Sequence, residues 1–214
     1  MYYITYKYSP REQIGPEGQS LIGLSGIILR PARVEEASTL TELCLRSKAV
    51  WGYDAEFLEA CRAELVLHPA DFESSYVEAA EIGRELVGMC QLTLTNGRGI
   101  LERLFVDPSC LGRGIGRLLY RWAEDLARSN GAAEISIEAD PGAESFYRRM
   151  GAIDDGTVAS GSIPGRRIPW LRVILHQNRD GREREPEAIN SLRAPRFDSS
   201  SNSSVCGRAF IQRS

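Results

Sequence analysis

Residues 99–131 constrain the fold most strongly, because they predict a strand that passes through a glycine-rich turn into an amphipathic helix. The apolar run 100–106 predicts the strand, and Asp107-Pro108 ends it because proline has no backbone N–H for a sheet ladder. The helix is predicted by apolar residues at i, i+3, i+4, i+7, i+8 and i+11. These are Ile115, Leu118, Leu119, Trp122, Ala123 and Leu126. Asn130-Gly131 then favours the left-handed backbone angles that end a helix.

The glycine-rich turn predicts a binding site for an anion. Gly112, Gly114 and Gly116 remove three side chains where the chain enters the helix. The backbone N–H groups of a first helical turn lack internal partners and carry the positive end of the helix dipole. Without shielding side chains they form a cradle for a phosphate or pyrophosphate. Arg113 and Arg117 add positive charge nearby. The alternative interpretation is a tight turn whose glycines serve packing alone.

The turn matches one known phosphate-binding signature and not two others. No lysine follows a glycine as in GxxxxGK[ST], and the spacing is GxGxG rather than the GxGxxG of dinucleotide-binding folds. The stretch resembles the acyl-CoA signature of the GNAT superfamily of N-acyltransferases, [Q/R]-x-x-G-x-[G/A] after a strand ending in V-x-P. Val106-Asp107-Pro108 and the glycine turn fit this signature, and Leu111 stands where Gln or Arg usually opens it.

A second motif of the same superfamily follows the alternating strand 133–139. Asp140 and residues 143–151 resemble the stretch N-x-x-A-x-x-F-Y-x-K-x-G-F. Asp140 stands for the Asn, Arg149 for the Lys and Ala152 for the final aromatic residue. The resemblance covers about residues 26–176. It implies an α/β (α+β, mixed-sheet) GNAT-like fold with a mostly antiparallel, centrally splayed sheet.

The remaining elements predicted from periodicity and turn signals complete the order β-α-α-β-β-β-α-β-α-β-β. They are a strand at 27–29, a helix at 33–48, a helix from the N-cap Asp54 to His68-Pro69, strands at 76–82 and 86–95, a short helix capped by Asp140 with Pro141 in its first turn, and strands at 153–159 and 168–175. We interpret residues 1–25 as an N-terminal arm of low order. The charged, then Ser/Asn-rich residues 177–214 are interpreted as a disordered polar tail.

Composition restricts the function classes. Residues 26–176 hold 17 basic and 22 acidic side chains, which disfavours nucleic acid and suits a cationic acceptor. No run of about 18 apolar residues predicts a membrane span, and no secretory signal is seen. The five cysteines are scattered and form no CxxC, and Cys44, Cys61 and Cys90 lie in apolar periodic stretches that indicate buried thiols in a reducing cytoplasm. Two histidines are too few for a zinc cluster, so no metal is expected.

Glu102 is the first candidate for a general base. Acyl transfer to an amine requires the amine to lose its proton, because an ammonium ion has no lone pair. Strand alternation predicts that Ile100, Glu102, Leu104 and Val106 share one face, where a carboxylate is costly unless it is used or paired. The base would act directly or through water. The alternatives are a salt bridge to Arg103 or another arginine, or an edge position open to water; Glu78 and Glu81 are substitute bases.

The resemblance implies acetyl-CoA as co-substrate and direct transfer to a primary amine of a small molecule or a peptide N-terminus. It places Tyr147 near the CoA sulfur as the acid or hydrogen-bond donor, against the alternative of a core tyrosine. Backbone N–H groups around Phe105 and Val106 would polarise the acyl carbonyl. The implied CoA-binding residues are Leu104, Phe105, Val106, Leu111, Gly112, Arg113, Gly114, Ile115, Gly116, Arg117, Asp140, Ala143, Phe146 and Arg149.

The acceptor site is expected at the loop between the first two helices, where Trp51 and Tyr53 flank a glycine. These aromatics would stack on the acceptor or, alternatively, anchor the loop to the core. Residues 160–167 are a candidate lid. Cys110 suggests an acyl-enzyme route, but no histidine lies nearby in sequence to activate it.

Two rival functions remain open at this point. One is a non-catalytic acyl-CoA-binding regulatory domain, and the other is an interaction protein that recruits a partner through residues 177–214. Dimers are frequent in the superfamily, so the resemblance leaves a homodimer open.

Overall fold

The computed structural model describes residues 26–176, and the interpretations of the N-terminal arm and C-terminal tail lie outside that range. The described part forms one seven-stranded sheet with five α-helices. The strands are β1 (Ile27–Pro31), β2 (Tyr76–Ile82), β3 (Glu85–Thr95), β4 (Arg98–Val106), β5 (Glu134–Glu138), β6 (Ile153–Ala159) and β7 (Arg167–Ile174). The helices are α1 (Ala37–Ala49), α2 (Ala55–Leu65), α3 (Pro69–Ser74), α4 (Ile115–Ser129) and α5 (Glu144–Arg149).

The sheet has the strand order β1-β2-β3-β4-β5-β7-β6, and its neighbours are antiparallel except for the pair β4–β5. That parallel pair joins Arg98–Leu101 to Glu134–Ile137 and goes no further. From Glu102 onward β4 therefore has a free backbone edge on this side. The mixed, centrally splayed sheet implied by the resemblance is confirmed.

The hairpin between β3 and β4 was predicted from Asn96-Gly97 and is confirmed. Both residues have positive φ, 48° and 72°, as a two-residue hairpin turn requires. The N-cap at Asp54 is also confirmed, because its carboxylate accepts a hydrogen bond from the Phe57 N–H at 2.8 Å. Local turn and cap chemistry is thus sufficient to predict these positions.

Two predicted helix boundaries are wrong. Helix α2 already ends at Leu65, and His68-Pro69 opens the short helix α3, whose Asp71 carboxylate accepts from the His68 N–H at 2.8 Å. Asp140 does not cap α5, which begins at Glu144 after the N-cap Ala143. Pro141 therefore precedes the helix, and the Asp140 carboxylate instead accepts from the Gly142 N–H at 3.0 Å within a turn.

The core lies on both faces of the sheet. One cluster packs under α4 and α5, and a second packs under α1 and α2. A Cβ atom at Gly88 would lie 3.0 Å from the side chains of Ile115 and Leu119, so this glycine lets α4 approach β3 closely. The predicted burial of Cys44, Cys61 and Cys90 is confirmed, and Cys110 is buried as well. None of the helices in the described range has the length and apolarity needed to cross a bilayer.

Candidate active site

A β-bulge in β4 decides where the candidate base points. Gln91 pairs with Arg103 and Leu92 pairs with Leu101, so Glu102 is the extra residue on β4. Bulges re-aim side chains and occur often beside active sites. Leu101, Leu104 and Val106 pack in the cluster under α4, so the alternation of faces is interrupted between Leu101 and Leu104. The prediction that Ile100, Glu102, Leu104 and Val106 share one face is therefore wrong.

The Glu102 carboxylate lies among charges on the side of the sheet that carries α2 and α3. Burial is the largest cause that raises its pKa above the ordinary value. The Thr93 hydroxyl and the charge of Arg103 lower the pKa, while the charges of Glu138 and Asp71 raise it. Glu102 is thus a half-buried carboxylate that takes up a proton more readily than an exposed one.

The salt bridge to Arg103 and the two substitute bases are not supported by the geometry. Arg103 has no carboxylate within salt-bridge distance among residues 26–176, so a Glu102–Arg103 salt bridge is absent there. Glu81 is bound by Arg30, with Nε to Oε2 at 2.8 Å. Glu78 is buried on β2, two strands away from β4, and does not line the cleft described below.

The glycine turn has the backbone conformation of an anion cradle. Gly112 and Gly114 have φ values of 76° and 80°, which favour glycine, and a Cβ atom at Gly112 would enter open space. The first intrahelical bond of α4 runs from the Leu118 N–H to the Gly114 carbonyl at 3.1 Å. The N–H groups that precede Leu118 in the first turn are therefore available to a ligand. Arg117 borders the cleft beside them.

The free edge of β4 supplies a second set of backbone donors. The Asp107 N–H donates to the Val87 carbonyl at 2.9 Å, and Phe105 pairs with Met89 in the same register. Because alternate residues of an antiparallel pair point their N–H groups the same way, the Phe105 N–H is directed to β3. The N–H groups of Leu104 and Val106 face the gap beside β5. The expected oxyanion donors are corrected accordingly from Phe105 and Val106 to Leu104 and Val106.

Tyr147 lies on α5 with 7% of its surface exposed, and it lines the cleft described below. Its ring contacts Phe146 at a centroid distance of 5.2 Å and Tyr120 at 6.1 Å. Burial is the main cause that raises its pKa well above that of an exposed phenol, with further contributions from Cys90, Tyr120 and Asp140. Tyr147 therefore keeps its proton at neutral pH and has a donor to offer.

Asp140 is the centre of a polar network that periodicity does not predict. Its carboxylate accepts from the Tyr53 hydroxyl at 2.9 Å and from Lys48 Nζ at 3.3 Å. Arg166 Nη2 donates to the Tyr53 oxygen at 2.6 Å. The network joins the loop after α1, the end of β5 and the loop between β6 and β7. Lys48 and Arg166 lie far from Asp140 in sequence, so no local signal identifies them.

The two aromatics expected at the acceptor site have different surroundings. Trp51 is about half exposed, and its ring covers Gly142, where a Cβ atom would lie 2.5 Å from the ring. Tyr53 stacks on Phe57 with ring centroids 4.0 Å apart and does not line the cleft. The prediction that Tyr53 contacts the acceptor is therefore not supported, while the alternative role as a loop anchor is.

A single open cleft of about 2560 Å³ connects these features. It exceeds the roughly 300–1,000 Å³ typical of a small-molecule pocket, so it has room for two substrates. The predicted residues that line it are Glu102, Tyr147, Trp51, Leu104, Phe105, Val106, Leu111, Gly112, Gly114, Ile115, Gly116, Arg117, Asp140, Ala143, Phe146 and Arg149. Arg113 does not line it, and its Nη1 lies 3.6 Å from the Cys110 sulfur.

The cleft also contains acidic and aromatic residues that the sequence did not identify. They are Glu64, Asp71, Glu138 and Trp170. Burial is the main cause that raises the pKa of Glu138, and the charge of Glu64 adds to it. The outward position of Glu138 in the alternating strand 133–139 was the available signal. The candidate lid contributes Ser162, whose hydroxyl donates to the Glu64 carboxylate.

Comparison with known proteins identifies the family. The model of the acetyltransferase (GNAT) family matches residues 39–152, which is more than half of the chain. Streptothricin acetyltransferase from Streptomyces lavendulae is 33% identical over 104 residues, covering 42% of this chain. The match spans 55% of that enzyme, about half its length.

Solved structures show the same fold. The PaiA N-acetyltransferase of Thermoplasma acidophilum, in complex with coenzyme A, has a TM-score of 0.56 at 20% identity and covers 69% of this chain and 98% of that one. A GCN5-related N-acetyltransferase from Rhodopseudomonas palustris has a TM-score of 0.60 at 23% identity, with 71% and 97% covered. Nourseothricin acetyltransferase has a TM-score of 0.54 at 20% identity, with 71% and 100% covered. The fold is that of the acetyltransferases, and the chain belongs to the acetyltransferase (GNAT) family.

Proposed function

We propose that this protein is an acetyl-CoA-dependent N-acetyltransferase that transfers an acetyl group directly to a primary amine. One observation carries the proposal: the glycine turn, the free edge of β4, Glu102 and Tyr147 all border the same cleft. An anion cradle, backbone donors, a carboxylate and a phenol are the groups that acyl transfer from a thioester requires.

The residues present fit coenzyme A. The unshielded N–H groups of the α4 first turn suit its pyrophosphate, and Arg117 adds positive charge beside them. The Leu104 and Val106 N–H groups would donate hydrogen bonds to the amide and thioester groups of the pantetheine arm, which would lie along β4 like an added strand. Bound acetyl-CoA supplies an activated acyl group whose leaving group is a thiol.

Glu102 acts on the acceptor amine, and Tyr147 acts on the leaving sulfur. Glu102 takes a proton from the acceptor ammonium, directly or through water, so that the nitrogen lone pair can attack the acetyl carbon. The Leu104 and Val106 N–H groups stabilise the negative charge that develops on the acetyl oxygen. As the C–S bond breaks, the attacking nitrogen loses its second proton to water, and the departing sulfur accepts a hydrogen bond from the Tyr147 hydroxyl and is protonated from solvent.

A cationic acceptor suits the cleft. Glu64, Asp71, Glu102 and Glu138 all line it and attract an ammonium group by their charge. The similarity to a streptothricin acetyltransferase makes streptothricin the first acceptor to test. Free amino acids, polyamines, aminoglycosides and peptide N-termini complete the panel.

The test measures acetyl-CoA-dependent thiol release across this amine panel and checks products for the mass of one added acetyl group. We expect turnover with at least one amine and loss of about a hundredfold or more in kcat for Glu102→Gln. Glu42→Gln, an exposed carboxylate on α1, is the control and should match wild type. Acetyl-CoA binding without turnover on any amine would contradict the proposal and favour a non-catalytic acyl-CoA-binding domain.

A further inference from the structure

Arg103 is a partly buried cation at the edge of the cleft, without a counter-ion within the described chain. It follows Glu102 at the β4 bulge, and no carboxylate among residues 26–176 lies within salt-bridge distance of it. Its Nε is buried without a hydrogen-bond partner. Partial burial of a charge without an opposite charge costs desolvation energy, so the groups that hold the guanidinium need to be identified.

The guanidinium is instead held by neutral acceptors. Its Nη1 donates to Gln91 Oε1, and its Nη2 donates to the backbone carbonyls of Glu64 at 2.6 Å and Val66 at 3.2 Å. These carbonyls lie at the C-terminal end of α2, where the helix dipole favours a cation. The side chain therefore connects the bulge to α2 by hydrogen bonds, and no carboxylate neutralises its positive charge.

Gln91 extends this connection to α3. It is 3% exposed, and its Nε2 donates to the Ser75 hydroxyl at 2.8 Å. The Ser75 hydroxyl in turn donates to the Asp71 carbonyl at 2.5 Å. The Gln91 amide thus orients the guanidinium from one side, and the carbonyls of α2 orient it from the other. Because Arg103 is held in this way, the position of Glu102 next to it in the chain is fixed.

We propose that Arg103 is a positioning residue for Glu102, which fixes the β4 bulge and places an uncompensated positive charge beside the candidate base. The catalytic meaning of this inference rests on the proposed function, because it assumes that Glu102 accepts the amine proton. The charge effect itself is a property of the folded protein. Gln91 contributes to this charge effect, because a neutral partner orients Arg103 without neutralising its charge.

Three charged groups surround Glu102 from three elements. Arg103 on β4 favours the ionised carboxylate, whereas Glu138 on β5 and Asp71 on α3 disfavour it. Without the Arg103 charge, burial and the two carboxylates still raise the pKa of Glu102, and only the Thr93 hydroxyl still lowers it. The pKa of Glu102 must then rise further, and less of the base is ionised at neutral pH.

The test titrates the Glu102 carboxyl carbon by NMR in protein labelled at the glutamate side chains, with the signal assigned by its loss in Glu102→Gln. We expect Arg103→Met to raise the pKa of Glu102 by about one unit. Gln91→Glu should raise it similarly, because a carboxylate in place of the amide neutralises Arg103 without removing it. Arg62→Gln removes an exposed charge from α2 and is the control, with an unchanged Glu102 titration.

Kinetic measurements distinguish the effect of the Arg103 charge from the effect of Arg103 on the position of Glu102. The acid limb of the pH profile of kcat/KM for streptothricin should move up by about one pH unit in Gln91→Glu and Arg103→Met. Arg103→Lys keeps the charge but cannot span three acceptors, so the acid limb should stay while kcat falls several-fold.

The outcomes separate this inference from the proposed function. An unchanged Glu102 pKa in Gln91→Glu would overturn the inference, and this variant decides the matter if Arg103→Met does not fold. A raised pKa together with no acetylation of any amine would overturn the proposed function and support the charge effect. A wild-type rate and pH profile in Glu102→Gln would overturn Glu102 as the base and Arg103 as its positioning residue.

Discussion

The two candidate catalytic side chains are adapted to opposite tasks by the same physical cause. Burial is the largest cause that raises the pKa of both Glu102 and Tyr147. For the carboxylate, a raised pKa increases the affinity for a proton and makes it a better base near neutral pH. For the phenol, a raised pKa keeps the hydroxyl protonated as a donor. Residue type was predictable from the sequence, but burial of these residues depends on how the elements pack.

Replacing Tyr147 with phenylalanine removes one hydroxyl and little else. We expect Tyr147→Phe to lower kcat by about tenfold to a hundredfold with unchanged KM for acetyl-CoA, because the donor acts only as the sulfur becomes negative. Tyr120→Phe is the matched control, since the Tyr120 hydroxyl is buried with no partner among the described residues. Steady-state kinetics of both variants check this, and equal losses in the two would argue for a packing role.

Glu78 should make the stability of the protein fall as pH rises from about 4.5 to about 8. Burial raises its pKa to about 8, with the charge of Arg30 opposing the rise. The protonated form is therefore favoured by folding, and its contribution is complete below the unfolded pKa and lost as pH rises through about 8. We expect the urea midpoint of wild type to fall between pH 5 and pH 9, and that of Glu78→Gln to fall less. Parallel pH profiles for the two proteins would contradict the assignment.

At the scale of elements, the sequence predicts what depends on neighbours along the chain. The Asn96-Gly97 hairpin, the Asp54 cap and the strand–glycine turn–helix of β4 and α4 follow from local chemistry. Helix α3 was missed because six residues are too few for a helical period. The bulge at Glu102 was missed because it is defined by the pairing of β4 with β3. Because the bulge shifts the register of β4 by one residue, Leu104 and Val106 do not share a face of the sheet with Glu102, contrary to the prediction from alternation.

The start of α1 depends on an ion-pair network that joins it to the sheet. Arg30 binds Glu36 at 2.7 Å and Glu81 at 2.8 Å, and the hydrogen bond from Arg30 is the main cause that lowers the pKa of Glu36 to about 2. We expect Glu36→Gln to cost about 1–2 kcal/mol of unfolding free energy at neutral pH. The exposed neighbour Glu35, as Glu35→Gln, should cost little.

The difference in unfolding free energy between wild type and Glu36→Gln should depend on pH. Because the pKa of Glu36 is lower in the folded protein, its contribution is present above about pH 4.5 and is lost as pH falls toward 2. The difference between wild type and Glu36→Gln in urea denaturation should therefore shrink at acid pH. A difference that stays constant from neutral pH to pH 3 would contradict the network's role.

At the scale of the whole molecule, the cleft is a consequence of one topological feature. The parallel pair β4–β5 ends at Leu101 and Ile137, and the gap beyond it opens between the α4 side and the α2 side. The resemblance to the family predicted this splay, whereas periodicity alone did not. The sequence could not place Lys48, Arg166 or Glu138 at the cleft, because only the folded chain brings their elements together.

Arg166 holds the loop between β6 and β7 against the loop after α1. Arg166→Gln loses the 2.6 Å bond to the Tyr53 oxygen and the 3.8 Å approach to Asp140. We expect KM for the acceptor to rise several-fold, with little change in the affinity for acetyl-CoA, because we propose that this loop borders the acceptor side of the cleft. Arg148→Gln, on the surface of α5, is the control. Equal loss of acetyl-CoA affinity in Arg166→Gln would contradict this division of the cleft.

Calorimetric titration of acetyl-CoA tests the central claim most directly, using wild type, Gly114→Glu and Gly131→Glu. Gly114 and Gly131 lie at opposite ends of α4 and have φ values of 80° and 75°, so both substitutions bring similar backbone strain. We predict micromolar binding by wild type and Gly131→Glu, and loss of binding by Gly114→Glu, whose carboxylate would occupy the anion cradle. Absence of binding by wild type, or equal binding by all three proteins, would contradict the acetyl-CoA site at this turn.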